Sequence, residues 1–287
     1  MITSSPVKGT LIPIGGNEDK GEHEFKGIDY IEQGILAQVV AQSGGINANI
    51  VVIPTASSVP VEVGQNYMVA FQLLDCTNVT ILDIQKKSEA NNEDNLAIIS
   101  KANCVMFSGG DQSRISRIIG GSKMHALLTE RYLNEDFVIA GTSAGAMAMS
   151  TEMISGGSST ESLLKGAVRM RKGLGLLSGF IIDTHFVKRG RFGRLTEAVA
   201  KFPTHMGVGL AEDTGMIIKN GTHFRVIGSG MVILFDPSQL THNKHGVLED
   251  GTPMSISNLI THVLARGDQF RFEDRKIEIF ALSRSLL

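Results

Sequence analysis

Tryptophan is absent from this chain of 287 residues, and cysteine occurs only twice. Cys76 and Cys104 are far apart, each beside apolar residues, which argues against a disulfide framework and for two buried thiols in a reducing compartment. A surplus of either charge is missing too: 27 Lys and Arg stand against 29 Asp and Glu, a net −2. That balance gives no bulk attraction to nucleic acid or to acidic membrane surfaces. No apolar run approaches the length of a membrane span. The first ten residues offer neither a charged n-region nor a long apolar h-region, so a signal peptide is not expected and the chain is placed in the cytoplasm. The sequons at Asn78 and Asn220 carry no weight without export. What is present, 42% hydrophobic and 20% charged residues, is ordinary for a globular protein. With no repeat, low-complexity tract or long linker, one domain spanning residues 1–287 is the simplest organisation.

The first half alternates strand-like and helix-like segments. Leu11–Ile14, Ile50–Ile53, Val79–Ile84, Cys104–Phe107 and Phe137–Ala140 are short apolar runs. Between them lie a stripe through Ile31, Ile35 and Val39, a helical stretch from Pro60 to Asp75, and another from Glu93 to Lys101. Continuous apolar strands in a βαβα rhythm predict an α/β fold whose mostly parallel sheet is flanked by helices on both faces. Further on, Phe180–Asp183 and Val208–Glu212 read as strands and Arg194–Lys201 as a helix. From Gly215 to Phe235, β runs separated by Asn220-Gly221 and Gly228-Ser229-Gly230 predict a small antiparallel β extension in the C-terminal half.

Functional groups of open parallel sheets gather beyond the carboxyl ends of the strands. Gly141-Thr142-Ser143-Ala144-Gly145 follows one such strand and opens into small helix-forming residues, the pattern of a nucleophile elbow with Ser143 at its apex. Such a turn aims backbone N–H groups at the space where an oxyanion forms. A serine nucleophile needs a base and an orienting acid. Of eight histidines, His185 stands apart, because it ends an apolar strand and precedes Phe186 and a basic run. His125, His223, His242, His245 and His262 lie in solvent-like contexts, His23 in an N-terminal loop, and His205 after Pro203-Thr204. A satisfied histidine at a strand edge accounts for His185 equally well, and Glu212 and Asp213 are equally ambiguous as strand-end carboxylates. The order serine, histidine, acid differs from that of α/β-hydrolases. Lys188, Arg189, Arg191 and Arg194 follow His185; in a loop entering a helix they can converge on carboxylates through bidentate forks. Asp183 either neutralises them or binds a cationic substrate group.

Six segments together resemble the cyanophycinases, in order and in spacing. They are Ile12-Pro13-Ile14-Gly15-Gly16-Asn17-Glu18-Asp19-Lys20, Ile53-Pro54-Thr55-Ala56-Ser57-Ser58, Phe107-Ser108-Gly109-Gly110-Asp111-Gln112, Gly141 to Ala146, Asp183-Thr184-His185-Phe186 with Arg189, Arg191 and Arg194, and Gly207 to Thr214. The resemblance covers roughly residues 10–235. It implies a class I glutamine-amidotransferase-like, flavodoxin-like fold, shared with peptidase E. It also implies Ser143 as nucleophile, His185 as general base, Glu212 as the acid orienting it, and Gly110 and Ala144 as oxyanion N–H donors. Gln112, Asp183, Arg189, Arg191 and Arg194 would line the substrate groove, while Thr184 receives no role. The implied substrate is cyanophycin, a poly-aspartate backbone with arginine on each β-carboxyl, cleaved to β-aspartyl-arginine dipeptides without metal or organic cofactor. A homodimer is expected. Leu240–Leu287 matches no motif and would shape the outer groove or a dimer contact.

Two other readings compete. A peptidase E-like aspartyl dipeptidase would use the same three residues but needs few arginines. A non-catalytic amidotransferase-like binding module has no need of serine, histidine and acid together. A glutamine amidotransferase proper is disfavoured because its nucleophile is cysteine and residue 143 is serine.

Overall fold

A computed structural model describes residues 7–21, 29–157 and 163–279; His23 and residues 280–287 lie outside them. The strands are β1 (Thr10–Ile14), β2 (Ile50–Ile53), β3 (Val79–Ile81), β4 (Cys104–Phe107), β5 (Val138–Thr142), β6 (Glu152–Gly157), β7 (Val168–Lys172), β8 (Phe180–Asp183), β9 (Met206–Leu210), β10 (Thr214–Lys219), β11 (His223–Gly228), β12 (Met231–Asp236), β13 (Ile260–Ala265), β14 (Gln269–Arg271) and β15 (Ile277–Glu278). The helices are α1 (Tyr30–Gln33), α2 (Ile35–Gln42), α3 (Pro60–Gln72), α4 (Glu93–Ser100), α5 (Gln112–Ile118), α6 (Lys123–Asn134), α7 (Ala144–Met147) and α8 (Phe192–Lys201).

Nine strands form one mixed sheet in the order β15-β14-β11-β10-β1-β5-β4-β2-β3. From β1 to β3 neighbouring strands are parallel, and from β1 to β15 they are antiparallel. Alternation along the parallel strands explains why these runs are apolar throughout. Leu11, Val51, Ile53, Val105, Phe107 and Ile139 face one core. Ile12, Ile14, Ile50, Val52, Cys104, Met106, Val138 and Ala140 face the other. Cys76 and Cys104 are both buried free thiols, and burial pushes the Cys104 thiol up to about 12.

The antiparallel extension begins as expected, with Asn220-Gly221 closing the β10–β11 hairpin. Gly228-Ser229-Gly230 does something else. It carries the chain out of the large sheet, and β12 joins a second, four-stranded sheet in the order β13-β12-β9-β8. Here β8 and β9 run parallel, while β12 is antiparallel to both β9 and β13. Its apolar residues share the larger core with β1, β4 and β5. The stripe at 31–39 is also interrupted. Gly34, with ψ at 155°, ends α1 and begins α2, so Ile31 points outward at 67% exposure while Ile35, Leu36, Val39 and Val40 are buried. Among the described residues no helix is long and apolar enough to cross a membrane.

Candidate active site

All five residues of β5 are buried, and the strand delivers the chain into Ser143 at φ 49°, ψ −108°. Few non-glycine residues adopt such a backbone, and it persists here because both flanks are fixed. The Ser143 N–H donates to the Ile14 carbonyl on β1 at 2.9 Å, and the Ser143 carbonyl accepts from Met147 at 3.0 Å. Ala144 opens α7, so its N–H belongs to the first turn, where helical geometry provides no acceptor. Gly110 lines the same cleft as this turn, at φ 139°, where a Cβ would fall 2.0 Å from the Ala56 carbonyl oxygen.

Beyond the end of β8, His185 is held by its backbone: its N–H donates to Gly15 at 2.8 Å, and its carbonyl accepts from Arg189 at 3.0 Å. Its imidazole lies against Gly16, where a Cβ would come within 2.5 Å of Cε1 and Nε2. Nε2 is 3.1 Å from Ser143 Oγ, and Nδ1 is 2.7 Å from Glu212 Oε1. With Nδ1–H donating to the carboxylate, Nε2 is the acceptor for the serine hydroxyl. Glu212 stands in the turn linking β9 to β10, and Lys188 donates to its Oε2 at 2.9 Å. Burial works against ionisation of Glu212, yet Lys188 and His185 hold its carboxyl below the usual value. Burial likewise lowers the His185 pKa; Glu212 opposes this, Arg189 and Arg191 reinforce it, and the balance stays below the ordinary histidine value.

Asp213, the neighbouring carboxylate, is turned away. It accepts from the Asp19 N–H at 3.2 Å and from Ser229 Oγ at 2.6 Å, pinning the two glycine-rich loops. Burial raises its pKa.

The expected groove residues occupy different depths. Arg189 lines the cleft beside Ser143 and His185. Asp183 does not: its side chain is wholly buried, and Arg194, 7% exposed, grips it with Nε to Oδ2 at 2.8 Å and Nη2 to Oδ1. Arg191 adds a bond to Asp183 Oδ1 at 3.0 Å and one to the Thr184 carbonyl at 2.7 Å. Of the two roles open to Asp183, neutralising its arginines is the one its burial allows. Gln112, at the start of α5, donates to the Ile154 carbonyl at 2.8 Å and so ties the loop to β6. His125 is no plain surface residue: Nδ1 accepts from Gly121 and Nε2 reaches the Leu174 carbonyl at 2.7 Å.

The cleft encloses about 510 Å³. It is also lined by groups to which no sequence signal gave a role. Glu18 is buried and accepts from Thr142 Oγ1 and the Tyr67 hydroxyl, with Lys20 Nζ at 3.1 Å. Burial would raise its pKa, but Lys20, Thr142 and Tyr67 together keep the carboxyl below the usual range. Burial and the Glu18 charge push the Tyr67 phenol far up. Glu18 was visible as the acid after Gly15-Gly16-Asn17; Tyr67, on α3, had no local signal at all.

The chain matches the model of peptidase family S51 over residues 21–227. It is 33% identical to a cyanophycinase of Trichormus variabilis over 277 residues, covering 96% of this chain and 90% of the relative. It is 30% identical to a cyanophycinase of Geminocystis herdmanii, covering 92% and 94% of the two chains. The crystal structure of a peptidase from an acI-B1 Actinobacterium superposes with a TM-score of 0.64 at 20% identity, covering 95% of this chain and all of the other, and so shares its fold. On the extent of these matches, the chain belongs to peptidase family S51.

Proposed function

We propose that this chain is a serine-type exopeptidase that hydrolyses cyanophycin to β-aspartyl-arginine dipeptides through an acyl-enzyme on Ser143. The observation carrying this reading is the hydrogen-bonded chain Ser143–His185–Glu212, opening onto a cleft that Arg189 and Glu18 also line. His185 Nε2 takes the hydroxyl proton as Ser143 Oγ bonds to the scissile carbonyl carbon. The N–H groups of Gly110 and Ala144 receive the oxyanion. The C–N bond then breaks, and His185 passes its proton to the leaving amine. Water, deprotonated by His185, attacks the ester, releases the acyl half and returns the proton to Ser143. Glu212, braced by Lys188, holds the imidazole in the tautomer this requires. Arg189 meets a substrate carboxylate, and the Asp183–Arg191–Arg194 group fixes the loop that presents it. Residues 1–287 act as one domain, and two free buried thiols suit a cytoplasmic setting. We read the assembly as a homodimer, which light scattering of the purified protein measures.

The test incubates purified protein with cyanophycin, α-linked Asp-Arg peptides, poly-aspartate and short Asp-containing peptides, with products identified by mass. Release of β-Asp-Arg from cyanophycin alone is expected. Equal rates on all four would make the protein an unselective peptidase.

A further inference from the structure

A second cavity, of about 680 Å³, opens on the other side of the loop that follows β4. Gly109 and Gly110 line the catalytic cleft, and the next residue, Asp111, lines this second cavity. One peptide unit, about 3.8 Å of chain, therefore separates their walls. The opposite walls come from the β6–β7 hairpin and α8.

The cavity is charged although the chain as a whole is nearly neutral. Arg117, Arg169 and Arg171 are exposed on its rim and make no ion pair with another described residue. Glu197 supplies the other sign from inside. It is 2% exposed; its Oε1 accepts from the Gly166 and Val168 N–H groups at 2.8 and 3.2 Å. Its Oε2 has no hydrogen-bond partner among the described residues. A buried carboxylate oxygen without a partner is rare in native proteins, because water is lost and nothing replaces it. A guanidinium N–H entering the cavity would give Oε2 a charge-assisted hydrogen bond, Oε1 being already taken by its two backbone donors.

We propose that this cavity is a second binding site for the polymer, in which Glu197 takes the guanidinium of one β-Asp-Arg unit while Arg117, Arg169 and Arg171 take arginine carboxylates. This rests on the cyanophycin reading above. Cyanophycin presents one guanidinium and one carboxylate per unit, and an extended backbone advances about 3.3–3.6 Å per residue. A site one loop away from Ser143 thus falls within a few residues of the bond cleaved. A single dipeptide cannot occupy both places, so the second site discriminates by length. Holding one unit there raises the effective concentration of the next at Ser143.

The test compares KM and kcat of the full chain on a two-unit oligomer and on long cyanophycin. The wild type is expected to show the lower KM on the polymer. Arg169→Ala with Arg171→Ala, both exposed, should raise the polymer KM about tenfold, the loss of one or two charge-assisted bonds. It should leave kcat and the two-unit kinetics as they were. Glu197→Gln keeps the acceptor for Gly166 and Val168 and should act in the same direction. An unchanged polymer KM in the arginine variant, or an equal loss on both substrates, overturns the second site. Wild-type protein that cleaves both lengths with equal KM also overturns it, and leaves the activity intact. Wild-type protein that releases β-Asp-Arg from neither overturns the activity reading instead.

Discussion

The imidazole of His185 rests on Gly16, with no room between them for a methyl group: a Cβ there would sit 2.5 Å from Nε2. Gly16 also has φ 98°, so alanine is strained on both counts. Gly16→Ala is expected to displace the ring from Ser143 and lower kcat by about a hundredfold, the scale of a 1 Å misplacement. Kinetics beside far-ultraviolet circular dichroism check this. Full activity would mean that the ring is not the base.

Ser143 carries a backbone that glycine adopts more easily. Ser143→Gly should abolish hydrolysis and yet stabilise the fold by about 1 kcal/mol through relief of that strain. Ser143→Ala should abolish hydrolysis without the gain. Urea unfolding of the three proteins decides the matter, and equal midpoints for glycine and alanine would show that the turn stores no strain.

Glu212 and Asp213 differ in what they hold. Glu212→Gln leaves His185 without its carboxylate and should cut kcat by about 10³–10⁴-fold with little change in KM. Asp213→Asn, whose side chain braces two loops, should cost far less in turnover. The reverse order of damage would reassign the acid.

The pH profile follows from the His185 shift. As the proposed base, His185 must be neutral, and its pKa lies below the ordinary histidine value, so activity should rise through a limb below about pH 6.5 and be complete by neutrality. Removing the Arg189 charge in Arg189→Gln relieves a cation that favours the neutral ring, so the limb in kcat/KM should move to higher pH. A limb that stays in place would remove Arg189 from the field of His185.

Breaking the buried pair beneath the cleft should be a stability defect first. Asp183→Asn leaves Arg194, 7% exposed, facing an uncharged group, and an unpaired buried charge costs about 3–5 kcal/mol. The melting temperature should fall sharply. An unchanged melting temperature together with a raised KM would return Asp183 to direct substrate contact.

The parallel half of the fold was legible because strands covered on both faces must be apolar throughout, as Ile50–Ile53 and Cys104–Phe107 are. The hairpin β6–β7 was not, since Val168–Lys172 buries only Val168 and reads as a polar surface run. Nor could spacing reveal which sheet β12 joins. A glycine-rich break looks the same whether the next strand turns back or changes layer. In the site, Ser143 had a local signature, whereas the choice between Glu212 and Asp213 depended on side-chain direction. Glu18 and Tyr67, 49 positions apart, meet only because the crossover helix α3 brings Tyr67 beside the loop that follows β1.

Ser143 hangs from the nine-stranded sheet, His185 follows a strand of the four-stranded one, and Glu212 sits in the link from β9 to β10 that crosses between them. The 3.1 Å between Ser143 and His185 is therefore a gauge laid across the seam of two layers. A slip of one layer on the other opens that gap while every strand still keeps its own partners. Mild denaturant should then silence the enzyme before its secondary structure changes, and a ligand that bridges the two layers would protect both.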